Sequence, residues 1–148
     1  MSAQESPGQK NDNLMTATWT GGRRFVHRSA SGHSLVTDAQ GADGQPATGP
    51  SPMELVILAL IGCTGVDVAG ILESMRQPLE GLEVSATSER SPTHPRVYTN
   101  IHLTYTAKGD LDEKKVQRAI ELSQKKYCSV SAMLRGTVAL THSCVVTR

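Results

Sequence analysis

The feature that most constrains this chain is a long apolar segment, MELVILALIGCTGVDVAGILESMRQ, at residues 53–77. Ser51 and Pro52 precede it as a typical N-cap and first helical residue, and Pro78 follows it, so the pattern predicts one long helix. Apolar residues surround this helix almost completely, which is typical of a buried central helix rather than an amphipathic surface helix. The rest of the chain is expected to fold around it.

Three glycines interrupt this segment, at Gly62, Gly65 and Gly70, and Cys63 follows the first of them. A glycine in a helix interior costs about 1 kcal/mol relative to alanine. A segment that keeps three of them needs a packing or a chemical reason.

Composition indicates a soluble, cytoplasmic protein. The chain has 148 residues, enough for one ordinary domain with its own core. The longest apolar run, Leu55 to Val66, is shorter than the roughly 20 residues of a membrane span. No positively charged start leads into an apolar stretch, so we expect no signal peptide. Three cysteines, an odd number, do not form a secreted disulfide scaffold.

Charge and aromatic content exclude two kinds of partner. Lys and Arg number 15 against 14 Asp and Glu, so nothing indicates a nucleic acid or an anionic membrane surface. One Trp, one Phe and three Tyr are too few for a platform on which bases stack. A core this poor in aromatic residues is built from aliphatic side chains or is completed by a second subunit.

The order of predicted elements gives the fold class. Strands occur in runs rather than alternating with helices, which predicts an α+β fold with mostly antiparallel sheet and helices on one face. Residues 1–13 are predicted to be a disordered tail, and residues 14–148 a single domain. The predicted strands cover residues 14–20, 23–29, 32–39, 79–90, 96–109 and 137–146, and the predicted helices cover 53–77, 110–127 and 128–136.

Periodicity also predicts which side chains face inward. Alternation in the strand 96–109 places five residues on one face: Val97, Thr99, Ile101, Leu103 and Tyr105. In the helix 110–127 the inner stripe is predicted to contain Val116, Ile120 and either Leu122 or Ser123.

The three cysteines are the first candidates for chemistry, and each also has a purely structural interpretation. Cys63 is either a small buried apolar side chain or a reactive thiol. Cys128 follows two lysines and opens a second short helix, both of which favour a thiolate, or it is a junction cysteine beneath Tyr127. Cys144 is interpreted as a sheet or core residue.

Other candidates are weaker. The cysteines form no CxxC pair and the five histidines have no metal-ligand spacing, so we expect no metal and no bound cofactor. In GRRFVHR, Arg23 or Arg24 either belongs to a solvated edge strand or directs a guanidinium at a thiolate or a peroxide oxygen. Asp67 lies one turn after Cys63 on the same helix face, where it either raises the thiol pKa or faces solvent or a lysine.

Taken together, three motifs resemble the OsmC/Ohr (osmotically inducible protein C/organic hydroperoxide resistance) family. They are TATWTGGRR near the start, GPSPMELVILALIGC with a cysteine in mid-helix, and KKYCSVSAMLRGTV before the terminal strand. The resemblance runs from about residue 15 to the C-terminus, and SPMEL points to a less characterised branch. It implies an intertwined homodimer in which long helices pack centrally, with Cys63 facing a pocket at the subunit boundary. The small residues of the long helix would then allow close approach between helices.

The resemblance also implies a thiol-dependent peroxidase that reduces organic hydroperoxides, and possibly hydrogen peroxide. Cys63 would be the peroxidatic nucleophile and Cys128 the resolving cysteine, with an external dithiol of the lipoyl type as reductant. Arg23, or the adjacent Arg24, would stabilise the thiolate. Glu54 stands one position after the family's glutamate, and a continuous helix turns it about 180° from Cys63 and ~13.5 Å along the axis. It would act through an arginine or from the partner chain.

Two other functions fit the same fold. One is a dimeric module that binds a small apolar ligand, with the cysteines as part of the lining. The other is a redox sensor whose disulfide changes the shape of the dimer without turnover.

Overall fold

The computed structural model describes residues 13–41 and 43–148. The predicted tail therefore lies outside the described residues, apart from Asn13 in a turn, and the single domain over 14–148 stays a prediction. Internal contacts divide the chain into two compact units, one ending at Leu55 and one beginning at Val56. The strands are β1 (Thr16–Trp19), β2 (Phe25–Arg28), β3 (Ser34–Thr37), β4 (Gly81–Arg90), β5 (Tyr98–Lys108) and β6 (Ala139–Thr147); the helices are α1 (Pro52–Ser74), α2 (Glu113–Leu122) and α3 (Ser129–Leu134).

The first unit is an antiparallel meander in the order β1-β2-β3, as the alternating pattern predicts. Gly21 and Gly22, both at positive φ, form the turn after β1, and the indole N–H of Trp19 donates to the Gly22 carbonyl at 3.0 Å. All three strands are shorter than predicted. The α+β fold class is confirmed.

The second unit contains a sheet of order β4-β5-β6 in which the last pair differs from the prediction. β4 and β5 are antiparallel, but β6 runs parallel to β5, from Asn100 opposite Ala139 to Lys108 opposite Thr147. Parallel neighbours need a long crossover connection, which α2 and α3 supply. This sheet is thus mixed, with one antiparallel and one parallel pair.

The inward face of β5 departs from simple alternation at its start. Thr99 is an extra residue against β4, because Tyr98 pairs with Arg90 while Asn100 pairs with Glu89. A bulge of this kind moves the side chain of every earlier residue of the strand to the other face of the sheet. The prediction for Ile101, Leu103 and Tyr105 is confirmed, but it was wrong for Val97 and Thr99, which are exposed. The buried residues of β5 are Tyr98, Ile101, Leu103, Tyr105 and Ala107.

α2 begins after Asp112, whose carboxylate accepts the backbone N–H groups of Lys114 and Lys115. It ends at Leu122, earlier than predicted, because the next five residues form a wider π-helical turn, Ser123–Tyr127. Of the two alternatives for the inner stripe, Ser123 is fully buried and Leu122 only half-buried. The buried residues are Val116, Ala119, Ile120 and Ser123.

α1 ends near its predicted limit but is less covered than predicted. After Ser74, Arg76 has a positive φ of 55° and the Gln77 N–H returns to the Leu72 carbonyl, which closes the helix before Pro78. Only one stripe is buried within the chain, and Val66 on another side is 75% exposed. The prediction of a fully buried helix was therefore wrong for a single chain. The stripe contains Leu60, Thr64, Val68 and Leu72.

α1 is longer than the apolar run that the sequence analysis compared with a membrane span. Its 23 residues are long and apolar enough to cross a bilayer by length and composition, a test that core helices of soluble proteins also pass. The run Leu55 to Val66, which the sequence analysis used for this comparison, is shorter than the apolar helix itself. The Thr64 hydroxyl, however, bonds to Tyr105 of β5 and to Ser123, so one face of α1 packs inside a folded unit.

Candidate functional site

Two cysteines far apart in sequence meet in the second unit. Cys63 is half-buried in the middle of α1, and Cys128 is 2% exposed at the start of α3. Their Sγ atoms and a carboxylate oxygen of Asp67 all lie within 4.8 Å of one another. All three cysteines of the chain are free thiols. The site therefore combines two thiols that could form a disulfide with one carboxylate.

The π-helical turn sets the position of Cys128. Its backbone N–H donates to the Ser123 carbonyl at 2.8 Å, five residues earlier, and the chain then leaves the helix at an extended φ/ψ. Cys128 becomes the N-cap of α3, where its Sγ accepts the Ser131 N–H at 3.4 Å. Such turns are frequent at functional sites because they redirect one side chain without ending the helical path.

Burial raises the pKa of the Cys128 thiol, and this outweighs the Ser131 hydrogen bonds that lower it. The neighbouring Cys63 thiol raises the Cys128 pKa further. The two lysines expected to favour a thiolate are exposed, and Lys126 extends over the Tyr127 ring. The expectation of a stabilised Cys128 thiolate was therefore wrong: this thiol stays protonated to higher pH than an ordinary cysteine.

Asp67 ends a directed chain of hydroxyl groups. Ser123 Oγ donates to Asp67 Oδ2 at 3.0 Å, so its single proton is used there. The 2.8 Å contact between Ser123 and Thr64 must then be donated by Thr64, and the 2.7 Å contact between Thr64 and Tyr105 by Tyr105. Each hydroxyl gives its proton one step toward Asp67. Asp67 is half-buried, and its carboxylate is bonded to the Ser123 hydroxyl rather than paired with a lysine.

Gln124 connects this chain to the second cysteine. Its amide nitrogen donates to Tyr105 OH at 2.8 Å and to Thr64 Oγ1 at 3.1 Å. Its carbonyl oxygen accepts the Ser131 hydroxyl at 3.1 Å, and Ser131 also holds the Cys128 sulfur. Burial raises the pKa of Tyr105, which keeps its hydroxyl a donor. Every buried polar side-chain atom of the described residues has a hydrogen-bond partner.

Sequence reasoning predicted that Tyr105 faces inward and offered Ser123 as an alternative for the inner stripe, but it did not predict the polar network. The network joins Thr64, Tyr105, Ser123, Gln124 and Ser131 to Asp67. One signal was available, because Thr64 interrupts an otherwise apolar helix and Ser123 interrupts the inner stripe of the next one. A buried hydroxyl costs free energy unless it is paired, so two of them on facing stripes indicate a shared hydrogen bond.

Arg23 and Arg24 lie in the first unit and are exposed. Arg23 donates to the Gln40 carbonyl at 2.8 Å, and Arg24 donates to the Thr20 hydroxyl at 3.3 Å. Nearby, Thr48 and Ala39 hydrogen bonds lower the pKa of Asp38, with a smaller contribution from Arg24. The thiolate-stabilising role of either arginine stays a prediction.

Glu54 has a local structural task. Its carboxylate accepts the Ser51 N–H at 2.6 Å, and the Glu54 N–H donates to the Ser51 hydroxyl at 3.2 Å. This reciprocal pair is a capping box that starts α1, and its hydrogen bonds lower the pKa of Glu54. A catalytic role for Glu54 also stays a prediction.

Cys144 is half-buried on β6, opposite Tyr105 of β5 in the sheet register. Burial and, to a smaller extent, Glu113 raise its pKa. Within the described residues it belongs to no cluster of potential metal ligands. Its position agrees with the sheet role predicted for it, and it offers a matched control for the other two thiols.

The sequence is similar to those of known proteins. The model of the family of OsmC-like proteins matches residues 42–143. Protein YhfA of Escherichia coli strain K12 is 44% identical over 126 residues, which cover 84% of this chain and 91% of that protein.

Solved structures extend the comparison. A hypothetical protein from Aquifex aeolicus VF5 matches with a TM-score of 0.81 at 28% identity, covering 92% of this chain and 97% of that one. The organic hydroperoxide resistance protein OhrB of Bacillus subtilis has a TM-score of 0.65 at 21% identity, covering 89% and 96%, and so shares the fold. The chain belongs to the OsmC-like protein family, as its motifs predicted.

Proposed function

We propose that this protein is a cysteine-based peroxidase that reduces organic hydroperoxides, with Cys63 as nucleophile and Cys128 as resolving cysteine. The observation that carries the proposal is the convergence of these two thiols within 4.8 Å from separate elements. The fold shared with organic hydroperoxide resistance proteins supports it. We also propose a cytoplasmic location, where thiols are kept reduced.

The reaction has three balanced steps. The Cys63 thiolate attacks one peroxide oxygen, an S–O bond forms, the O–O bond breaks, and the alkoxide leaves as an alcohol after taking a proton. Cys128 sulfur then attacks the Cys63 sulfenic acid, forming an S–S bond and releasing water. An external dithiol, of the lipoyl type, reduces this disulfide by exchange and becomes a disulfide itself.

The second step needs an acceptor for the Cys128 proton, because burial raises the pKa of that thiol. The Asp67 carboxylate lies within 4.8 Å of both sulfurs and is the end of the hydroxyl chain. We assign it the role of proton carrier when the disulfide forms: it takes the proton from the Cys128 thiol and passes it to the hydroxyl group that leaves the Cys63 sulfenic acid as water. From the resemblance to the family we also propose that Arg23, or the adjacent Arg24, stabilises the Cys63 thiolate, and that Glu54 acts through that arginine or from the partner chain.

An apolar groove beside Asp67 supports an organic rather than a small inorganic peroxide. Asp67 forms part of its wall, and the remainder is mainly aliphatic or aromatic. The alkyl or aryl group of an organic hydroperoxide bound there would be removed from contact with water, and its peroxide group would point toward the thiols. The apolar lining includes Val66, Ile71, Met75, Leu122 and Tyr127.

We further propose that the working form is a homodimer in which α1 contacts the partner. α1 is apolar on nearly all sides, yet Leu58 is 49% and Val66 75% exposed in the single chain. A Cβ placed on Gly62 or Gly70 meets nothing within 4 Å, and one on Gly65 makes only an ordinary contact with Val84. None of the described residues therefore requires glycine at these positions, which is consistent with close approach by another helix.

The test is peroxide consumption at steady state with a dithiol reductant and a chelator. We expect the wild type and Cys144→Ser to turn over many equivalents of an organic hydroperoxide, and Cys63→Ser to fall to the rate without protein. Cys128→Ser should accumulate a Cys63 sulfenic acid that a dimedone probe traps. Loss of peroxide limited to one equivalent would instead identify a redox sensor. An apolar ligand seen by native mass spectrometry, with no peroxide loss, would identify a binding module.

A further inference from the structure

Three side chains that can bind Zn²⁺ converge in the second unit. They are the thiols of Cys63 and Cys128 and the carboxylate of Asp67, with ligand atoms within 4.8 Å of one another. Cysteine sulfur and aspartate oxygen are both common zinc ligands. The spacing of cysteines and histidines along the sequence did not reveal this set, because its members come from two elements and one of them is a carboxylate.

The spacing is close to that of a tetrahedral site. With a metal–sulfur distance of about 2.3 Å, two thiolates on a tetrahedral ion stand about 3.8 Å apart. The three ligand atoms therefore need to close by roughly 1 Å at most. Cys63 and Asp67 are four residues apart on α1, so the helix itself fixes one edge of the site.

The charges and hydrogen bonds around the set also favour a cation. As ligands, the three groups are all anionic, and within residues 56–148 no lysine or arginine nitrogen lies within 4.0 Å of the Asp67 carboxylate. The Ser123 hydroxyl holds one oxygen of that carboxylate, which leaves further lone pairs for an ion. Hydrogen bonds that orient a ligand in this way are typical of metal sites.

We propose that the reduced protein binds one thiophilic divalent cation, for which Zn²⁺ is the best chemical match, through Cys63, Cys128 and Asp67. A water molecule or an external thiol takes the fourth position. On binding, each thiol releases its proton to solvent and forms a sulfur–metal bond, and no electrons move. A Cys63–Cys128 disulfide removes both sulfur ligands, so metal binding and disulfide formation exclude each other.

The test titrates metal-free, fully reduced protein with Co²⁺, which reports thiolate ligands by its charge-transfer absorption, and then displaces it with Zn²⁺. We expect one ion per chain in the wild type and in Cys144→Ser. Replacing Cys63 or Cys128 by serine should weaken Zn²⁺ binding at least about 100-fold, more than the loss of a supporting hydrogen bond does. The near-isosteric Asp67→Asn should weaken it about tenfold to 100-fold and keep the thiolate band.

Oxidised protein provides a second arm that needs no substitution. Protein carrying the Cys63–Cys128 disulfide should bind no Co²⁺, and reduction by a phosphine, removed before titration, should restore binding. Zn²⁺ binding that survives in both cysteine variants would locate the ion at surface histidines and overturn the proposal. So would the absence of binding in the wild type, or its loss in Cys144→Ser.

The outcome is separable from that of the peroxidase assay. A wild type that turns over peroxide in chelator but binds no Zn²⁺ rejects the metal site and leaves the proposed function standing. A wild type that binds Zn²⁺ through these three residues but turns over no peroxide supports the metal site and rejects the proposed function. Where both hold, added Zn²⁺ should inhibit peroxide turnover, and chelator should restore it.

Discussion

The two sides of α1 differ in how their side chains are paired. One side carries Cys63, Thr64 and Asp67, and its polar groups are matched by hydrogen bonds to neighbouring elements. The remaining surface carries Leu58 and Val66, which are largely exposed in the single chain, and Val66 also borders the apolar groove beside Asp67. A polar side chain that is buried in the fold needs hydrogen-bond partners within it. An exposed apolar face can instead be buried later, against any partner surface of complementary shape. We therefore propose that the first side carries the chemistry and that the second contacts a partner chain.

The largest effect is expected from a charge on the apolar side. Val66→Lys places an ammonium group where we propose that a partner helix packs, and burying an unpaired charge costs several kcal/mol. The dimer dissociation constant should rise at least about 100-fold in analytical ultracentrifugation. Gln117→Lys, on the exposed face of α2, is the matched control and should leave the association unchanged. A monomeric wild type, or an unaffected Val66→Lys dimer, would refute the proposed interface.

A smaller effect is expected from removing one hydroxyl on the polar side. Thr64→Val keeps the shape of the side chain but breaks its hydrogen bonds to Tyr105 and Ser123. The free energy of unfolding should fall by about 1–3 kcal/mol in urea denaturation, because buried partners lose a hydrogen bond. The reverse exchange on the other side, Val66→Thr, should change it far less within one chain. Equal effects at the two positions would remove the distinction between the sides.

Gly62→Ala separates helix propensity from assembly. Within one chain the added methyl group meets nothing within 4 Å, so it should stabilise α1 by up to about 1 kcal/mol. If a partner helix approaches there, the same methyl group should weaken the dimer. We therefore expect higher stability in dilute, monomeric samples together with a higher dimer dissociation constant. A Gly62→Ala protein with tighter dimers would show that no close approach occurs at this position.

The smallest effect concerns the pH dependence of Cys128. Burial raises its pKa, so the thiolate forms at higher pH than in an ordinary cysteine. In the presence of chelator, the alkylation rate of Cys128 should therefore reach half its maximum at a higher pH than that of an ordinary cysteine thiol. Denatured protein, followed by the same peptide mass, should return to that ordinary value. A midpoint at or below it in folded protein would contradict the burial argument.

Local signals predicted the elements well, and pairings between distant elements were predicted poorly. The signal for α1 was complete in one stretch of sequence, because Ser51, Pro52 and Pro78 mark its ends. The parallel pairing of β6 and the extra residue Thr99 depend on which strands meet, which periodicity alone does not encode. The π-helical turn before Cys128 likewise follows from packing rather than from propensity.

The candidate site shows the same division. The four-residue spacing placed Asp67 on the face of Cys63, and the structure confirms that they are neighbours. The pairing of Cys63 with Cys128 came from resemblance to a family, since no rule of spacing joins residues so far apart. The hydroxyl chain through Tyr105 needs three separate elements to meet, so only the folded structure reveals it.

Mapping the disulfide after a single exposure to oxidant tests the pairing of the thiols most directly. Reduced protein, kept in chelator, is treated with one equivalent of an organic hydroperoxide, alkylated, digested and analysed by mass spectrometry. We predict one linked pair of peptides, containing Cys63 and Cys128, with Cys144 recovered as the alkylated thiol. A disulfide that includes Cys144, or three alkylated cysteines after the peroxide has been consumed, would contradict it.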